Sequence, residues 1–366
     1  MPKPAVALIV GAGLSTEAGL PSTDELSAQF LDTPPNGAVP PQVEREISRH
    51  LKRFWESVFR FTNGKKPHLE DHFTVIDLAA NTGHHLGPSY SPRRLRAIRR
   101  FSIHRAFQIL DLTYQPSETI KYLIATLQKR ATLSIVSVNW DIVIENHFRA
   151  LRHTYDYGPT VEPLFNHFEN QQASVPLSKL HGSANWVYCD SCRTLFSGLP
   201  GGGKDALHTL AFLEADDFEI LGSSEEIVQL VRNLPRGGRE CRICGCEVTA
   251  RVGTFSYRKD YAIQQFQTIW RQAFDSLRRS ETWLFVGYSM PEADFEFKQI
   301  LKSAELATRD DKQKRIQVVL KKGPAAERYE RFFGLDENCV SQDGLKEWVK
   351  NSFDGWLHDA INTAAK

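Results

Sequence analysis

Six consecutive apolar residues, Ala5–Val10, run straight into Gly-Ala-Gly-Leu-Ser at 11–15, and no other stretch limits the fold as strongly. A short apolar run without polar alternation is a strand buried on both faces, which implies a parallel sheet covered by helices. Glycines directly after it permit a sharp turn and a close approach of backbone to a ligand. The polar segment that follows reads as a helix start with outward N–H groups that favour phosphate. This first helix is expected to reach about Phe30. The spacing is not GxGxxG, because Thr16 stands where a third glycine is required, and no acidic residue marks the end of a second strand about 20 residues on. An ordinary first strand–helix turn is the plain alternative.

Other totals narrow the class. With 45 basic and 44 acidic side chains the net charge is +1, so no global footprint for nucleic acid exists and no direct nucleic-acid binding is expected. Six cysteines in 366 residues are too few for a disulfide scaffold. Four of them fall in CxxC pairs, which points to metal in a reducing compartment and hence to cytoplasm. No window approaches the roughly 18 apolar residues of a membrane span.

After a Pro- and Gly-rich loop at 32–41, Val43, Ile47, Leu51, Phe54, Val58 and Phe61 recur at helical spacing. Similar patterns over 69–80, 93–112 and 118–130 make 40–130 a helical insertion between two strands of the sheet. Arg93, Arg94, Arg96, Arg99, Arg100 and Arg105 crowd one of these helices. They read as a solvated face, with a partner surface or a guide for an anionic ligand as the alternative.

A second β-rich run, 132–141, ends in Asn139 and Asp141 at the sheet edge where ligands bind in open α/β folds. Asn139 both donates and accepts, which suits a hydroxyl or water, whereas the Asp141 carboxylate only accepts. Helix capping is the bland reading of both. His181, at the end of LSKLH, is the histidine best placed to take a proton, although a lone histidine there is more often structural. Cys189, Cys192, Cys241 and Cys244 form two CxxC pairs suited to a closed, tetrahedral, structural zinc site within a module at 187–250, with Cys246 an alternative ligand. The GGGK tract at 201–204 lacks the phosphate-loop frame and reads as a turn. Further on, a helix at 261–277, a strand ending at Gly287 and Ser289, a strand at 316–320 followed by Lys321 and Lys322, and a terminal helix at 345–361 are expected.

Taken together, GAGxSxxxGxP (Gly11, Ala12, Gly13, Ser15, Gly19, Pro21), SVNWD at 137–141, the His181–Gly182 pair, the two CxxC pairs and GYS at 287–289 occur in sirtuin order, and the chain resembles a sirtuin-like protein. The resemblance implies one Rossmann-like NAD-binding domain over 1–366, with the helical insertion and zinc module inside it. NAD would contact the glycine motif, Asn139, Asp141, Gly287 and Ser289, while Asn139, His181 and Asp141 would carry catalysis. Two departures stand out. Ser22, Thr23 and Asp24 replace the Asp-Phe-Arg of deacylating sirtuins, and RVGTFSYRKDY at 251–261 replaces their peptide-binding stretch. Ser137 and Val138 also stand in place of Thr and Gln. The pattern is similar to the sirtuin-like NAD hydrolases of bacterial anti-phage defence, in which water is the acceptor. An NAD-dependent deacylase and a non-catalytic NAD or ADP-ribose sensor are the alternatives. Self-assembly into a homo-oligomer, or a partner such as a hexameric ATPase or an Argonaute, belongs to the same resemblance.

Overall fold

The strand Ala5–Val10 (β1) is buried on both sides, as its unbroken apolar run requires: Val6, Leu8 and Val10 pack into one core, Ala7 and Ile9 into another. The computed structural model describes residues 3–35, 37, 39–62, 64, 66–83, 85–163, 174–197, 213–234, 240–252, 264–292, 294–307 and 313–364. Thr132–Ser137 (β2), Tyr155–Asp156 (β3), Val161–Pro163 (β4), Val175–Lys179 (β5), Gly182–Cys189 (β6), Thr194–Ser197 (β7), Thr249–Val252 (β8), Thr282–Val286 (β9), Arg315–Val319 (β10) and Val340–Ser341 (β11) are the other strands. Seven of them form a parallel sheet in the order β11-β10-β9-β1-β2-β5-β3. The chain leaves β1 toward β2 and β5 on one side and returns to β9 and β10 on the other. Strand order therefore reverses between β1 and β9, the switch point at which such sheets open a ligand crevice. The parallel α/β fold expected from the first strand is the fold observed. Among the described residues no helix is long and apolar enough to cross a membrane.

The helices Pro41–Val58, Leu69–Asn81, Pro92–Thr113 and Glu118–Arg130 lie where hydrophobic periodicity put them. The last packs on the sheet through Ile120, Leu123, Ile124 and Leu127. The first three share a separate core with Cys189, Phe196, Phe218 and Val228. That core joins them to a second sheet, β4-β7-β6-β8, in which β6 runs antiparallel to β7 and β8.

Three expectations need correction. The first helix is broken: Ala12–Ser15 is one turn, Thr16–Ala18 is 3₁₀, and a new helix runs from Thr23 to Gln29. Gly19 takes the left-handed conformation (φ 77°), which ends the first piece. Ser22 and Glu25 then form a reciprocal capping box that starts the second. The terminal helix is likewise two, Leu345–Asn351 and Phe353–Ala364, parted at Ser352.

The arginine-rich helix is only partly a solvated face. Arg93, Arg94 and Arg96 are exposed, but Arg99 pairs with Asp77 (2.8 Å), Arg100 with Asp217 (2.6 Å), and buried Arg105 with Ser48 and Glu44. The partners lie 22 to 117 residues away for Arg99 and Arg100, and such pairs leave no mark on local sequence pattern. The 201–204 tract and positions 253–261 lie outside the described residues.

Candidate functional site

A cleft of about 890 Å³ opens at the C-terminal ends of the central strands. Ala12 and Gly13 after β1, Asn139 after β2, His181 after β5, Gly287 and Ser289 after β9, and Lys321 after β10 all line it. Gly19 and Pro21 line it as well, from the connection between the two short helices.

The glycine turn is built against the turn after β9. Gly11 N–H donates to Val286 O (3.1 Å) and Gly13 N–H to Gly287 O (2.8 Å), while Leu14 N–H donates back to Gly11 O (3.0 Å). A Cβ on Gly13 would stand 2.7 Å from Gly287 Cα, and one on Gly287 would stand 2.1 Å from Leu14 N. Both positions must be glycine for the turns to touch, and Gly287 also needs its positive φ of 63°. Three of the N–H groups are already spent on protein carbonyls, and a single four-residue turn has little dipole to offer.

Asn139, Asp141 and Ser15 form one unit behind that wall. Ser15 Oγ donates to Asp141 Oδ2 (2.7 Å) and accepts from Asn139 Nδ2 (3.0 Å). Asp141 Oδ1 meanwhile accepts from Val143 N–H (3.0 Å), at the start of the helix Val143–Ala150. Asp141 thus bonds the first N–H of that helix from one residue before its N-cap, Ile142, and the same Asp141 carboxylate fixes Ser15. Asn139 caps no helix among the described residues. Of the residues put forward from sequence, Asn139 and His181 reach the cleft, whereas Gly11, Ser15 and Asp141 sit behind it.

Sequence reading missed what holds this unit. Lys179, the last residue of β5, is buried and donates to the Asp141 carbonyl oxygen while pairing with buried Glu145 at 3.2 Å. Glu145 also accepts from the Tyr157 hydroxyl (2.8 Å), whose pKa burial and the Glu145 charge push well above its ordinary value. A charged lysine at a strand end gives no sign in sequence that it is internal; only its fixed place one residue before Leu180–His181 hints at a role.

His181 is buried beside the cleft. Its Nδ1 is 2.9 Å from Val138 O, its ring lies 6.4 Å from that of Trp270, and its Nε2 is 3.8 Å from Asp294 Oδ1. Trp270 Nε1 donates to Leu180 O (2.9 Å) and so fixes the turn from below. Ser289 lines the cleft, and its carbonyl accepts from Arg328 Nε (2.9 Å).

The four cysteines of the two CxxC pairs converge, with all sulfurs within 4.8 Å of one another and two of the pairs, Cys189–Cys244 and Cys192–Cys241, at 3.4 and 3.5 Å. These separations are far too long for disulfides. They approach the ~3.8 Å edge of a tetrahedron with Zn–S bonds of ~2.3 Å. Cys241 Sγ also accepts from Ile243 N–H (3.4 Å), as a thiolate in a metal knuckle does. The donor set fits a structural zinc ion. Cys246 stands outside the cluster, exposed, and gives its carbonyl oxygen to Cys241 N–H (2.8 Å).

Sheet order and cleft define a doubly wound α/β protein with its ligand crevice at the switch point and a cysteine-bound lobe beside it. The model of the SIR2-like domain matches residues 133–338, more than half of the chain, and the protein belongs to that family. Similar solved structures include a Sir2 homologue–NAD complex (13% identity, TM-score 0.42, covering 98% of this chain and 91% of that one). Another comes from work on the mechanism and regulation of Sir2 enzymes (14%, 0.41, 99% and 94%). A third is Sir2Tm bound to a propionylated peptide (12%, 0.38, 97% and 94%). No curated protein matches the chain.

Proposed function

We propose that this protein is an NAD glycohydrolase that cleaves NAD⁺ with water to nicotinamide, ADP-ribose and a proton, as an effector of bacterial anti-phage defence. One observation carries the reading: Asn139 and His181 line the same cleft as the Gly13–Gly287 turn contact, at the switch point of the sheet. In this reading Ala12, Gly13, Gly287 and Ser289 hold the dinucleotide. The bond from the anomeric carbon to the nicotinamide nitrogen breaks with its electron pair on nitrogen, so neutral nicotinamide departs and an oxocarbenium-like ribose cation remains. Asn139, fixed by Ser15, positions the water or the ribose hydroxyls, and His181 takes the proton. Asp141 acts through Ser15 rather than by touching the substrate. Positioned general-base help is worth about 10² to 10⁴-fold.

The sequence supports water as acceptor, since Ser22, Thr23 and Asp24 start a capped helix at the cleft instead of supplying Asp-Phe-Arg. The whole chain is read as one NAD-binding domain, with 40–130 and 187–250 as insertions that share a core. The zinc ion would be held by Cys189, Cys192, Cys241 and Cys244 and would brace the lobe without entering the chemistry. In this reading the free chain is nearly inactive, and activity needs self-assembly or a second protein that orders the active-site loops.

The test is chromatography of NAD incubated with the purified protein, with and without an acetyl-lysine peptide and with its genomic neighbour. Nicotinamide and ADP-ribose are expected without peptide. Nicotinamide release only with peptide, together with O-acetyl-ADP-ribose, would refute the hydrolase.

A further inference from the structure

The two nitrogens of His181 face different surroundings. Nδ1 lies 2.9 Å from the Val138 carbonyl oxygen, which can only accept, so Nδ1 carries the hydrogen and donates it. Nε2 is then the proton-accepting nitrogen of the neutral ring. Asp294 Oδ1 stands 3.8 Å from it. Asp294 is held in turn, because its Oδ2 accepts from the Tyr288 hydroxyl at 3.1 Å and it sits at the N-cap of the helix Phe295–Leu306. Both His181 and Asp294 line the cleft, yet they are only 7% and 5% exposed, so solvent screens their interaction weakly.

A carboxylate set against a nitrogen without hydrogen disfavours the neutral ring and favours the imidazolium. Burial acts in the opposite direction. Among the described residues the other ionisable groups on the cleft walls are Tyr288, Asp24, Glu25, Glu70 and Lys321. The Gln264–Arg279 helix presents uncharged Trp270 to the ring, and the end of β2 presents Val138 and Asn139. Of the groups on these walls, Asp294 pairs with His181.

We propose that Asp294 is a positioning residue for His181, fixing the ring and stabilising the positive charge it acquires on Nε2. The inference rests on the hydrolase reading for the source of that proton. As water attacks, its O–H bond breaks and an N–H bond forms at Nε2. The freed electron pair joins oxygen to the anomeric carbon of the oxocarbenium-like ribose, whose bond to the nicotinamide nitrogen has already broken with its pair on nitrogen. Asp294 touches none of the reacting atoms and takes no proton itself.

The experiment follows the His181 ring signal by NMR in the full-length, ¹³C-histidine-labelled protein as pH is varied, with the signal assigned by its loss in His181→Asn. In the unsubstituted protein the protonation midpoint is expected above the ~6.5 of a free histidine, despite burial. In Asp294→Asn, which keeps shape and the Tyr288 contact, it is expected to fall by about 1–3 pH units. The acid limb of the pH–rate profile for NAD cleavage should move by the same amount to lower pH. A midpoint clearly below that of free histidine in the unsubstituted protein, or one that does not move in Asp294→Asn, would overturn the proposal. The first measurement needs no variant to fold. Neither titration needs turnover, so failure to cleave NAD would remove the hydrolase reading while the coupling of Asp294 to His181 is judged on its own midpoint.

Discussion

Replacing Gly13 by alanine sets two effects against each other. Gly13 lies in a helical turn with no positive φ, so backbone propensity alone favours alanine by up to ~1 kcal/mol. The added Cβ, however, would stand 2.7 Å from Gly287 Cα and 2.9 Å from Gly287 O. Carbon contacts are comfortable from ~3.5 Å, so roughly 0.8 Å must be found by moving backbone. Neither neighbour yields readily: the turns are tied by the 2.8 Å bond from Gly13 N–H to Gly287 O. Overpacking of this kind costs about 1–3 kcal/mol, which leaves a net loss of up to ~2 kcal/mol after a helix gain of ~1 kcal/mol. In a chain of this length that is a fall in Tm of only a few degrees. Turnover is the sensitive readout, because a misplacement of about 1 Å at a positioning element costs ~10²-fold. Thermal unfolding and NAD cleavage should be measured beside Gly64→Ala, where a Cβ meets nothing within 4 Å. Unchanged turnover and stability in Gly13→Ala would refute the backbone contact between the two turns.

Asn139→Ala and His181→Ala should each abolish NAD cleavage with little change in Tm; normal turnover in either variant removes that residue from the mechanism. About one zinc per chain is expected by elemental analysis, and Cys241→Ser should lose both metal and solubility, whereas metal loss with unchanged melting would exclude a structural role. Acid should loosen the lobe that holds the three helices between Pro41 and Thr113. Burial depresses His72 to about 3 and His50 to about 4, and the Trp55 indole N–H pointing at His72 Nδ1 (2.9 Å) keeps that nitrogen an acceptor. Both return toward ~6.5 in the unfolded chain, so their contribution is intact above that pH and is lost as pH falls toward the folded values. Urea unfolding midpoints at pH 7.5 and pH 5 check this, and equal midpoints would count against it.

The sheet, the four helices from Pro41 to Arg130 and the cysteine cluster were legible because each rests on local pattern: an apolar run, a 3.6-residue period, a pair of CxxC turns. The cleft residues Asn139 and His181 were legible because strand ends mark the sheet edge. What escaped reading is long-range or conformational. Ser15 joins Asn139 to Asp141 across more than a hundred residues, as does Arg100 with Asp217. Lys179 and Asp294 look like surface charges in sequence, and only the packing of β5 and of the segment after β9 turns them inward. The break at Gly19 was also missed, since a single glycine inside a helical pattern is compatible with continuation until its φ is known.

The register of β1 has a consequence for synthesis on the ribosome. One edge of this strand is satisfied by β2, with Ala5 beside Thr132, but the other waits for β9, with Val6 beside Thr282. Translation at about 5–20 residues per second separates the emergence of these two partners of one sheet from that of β1 by very different delays, roughly 15–55 s for β9. Through that interval the edge of β1 is open and Gly13 has no Gly287 to rest on. A nascent chain can therefore form half of its central sheet while the wall of its cleft does not yet exist, and a ribosome stalled before residue 282 releases a protein without a working site.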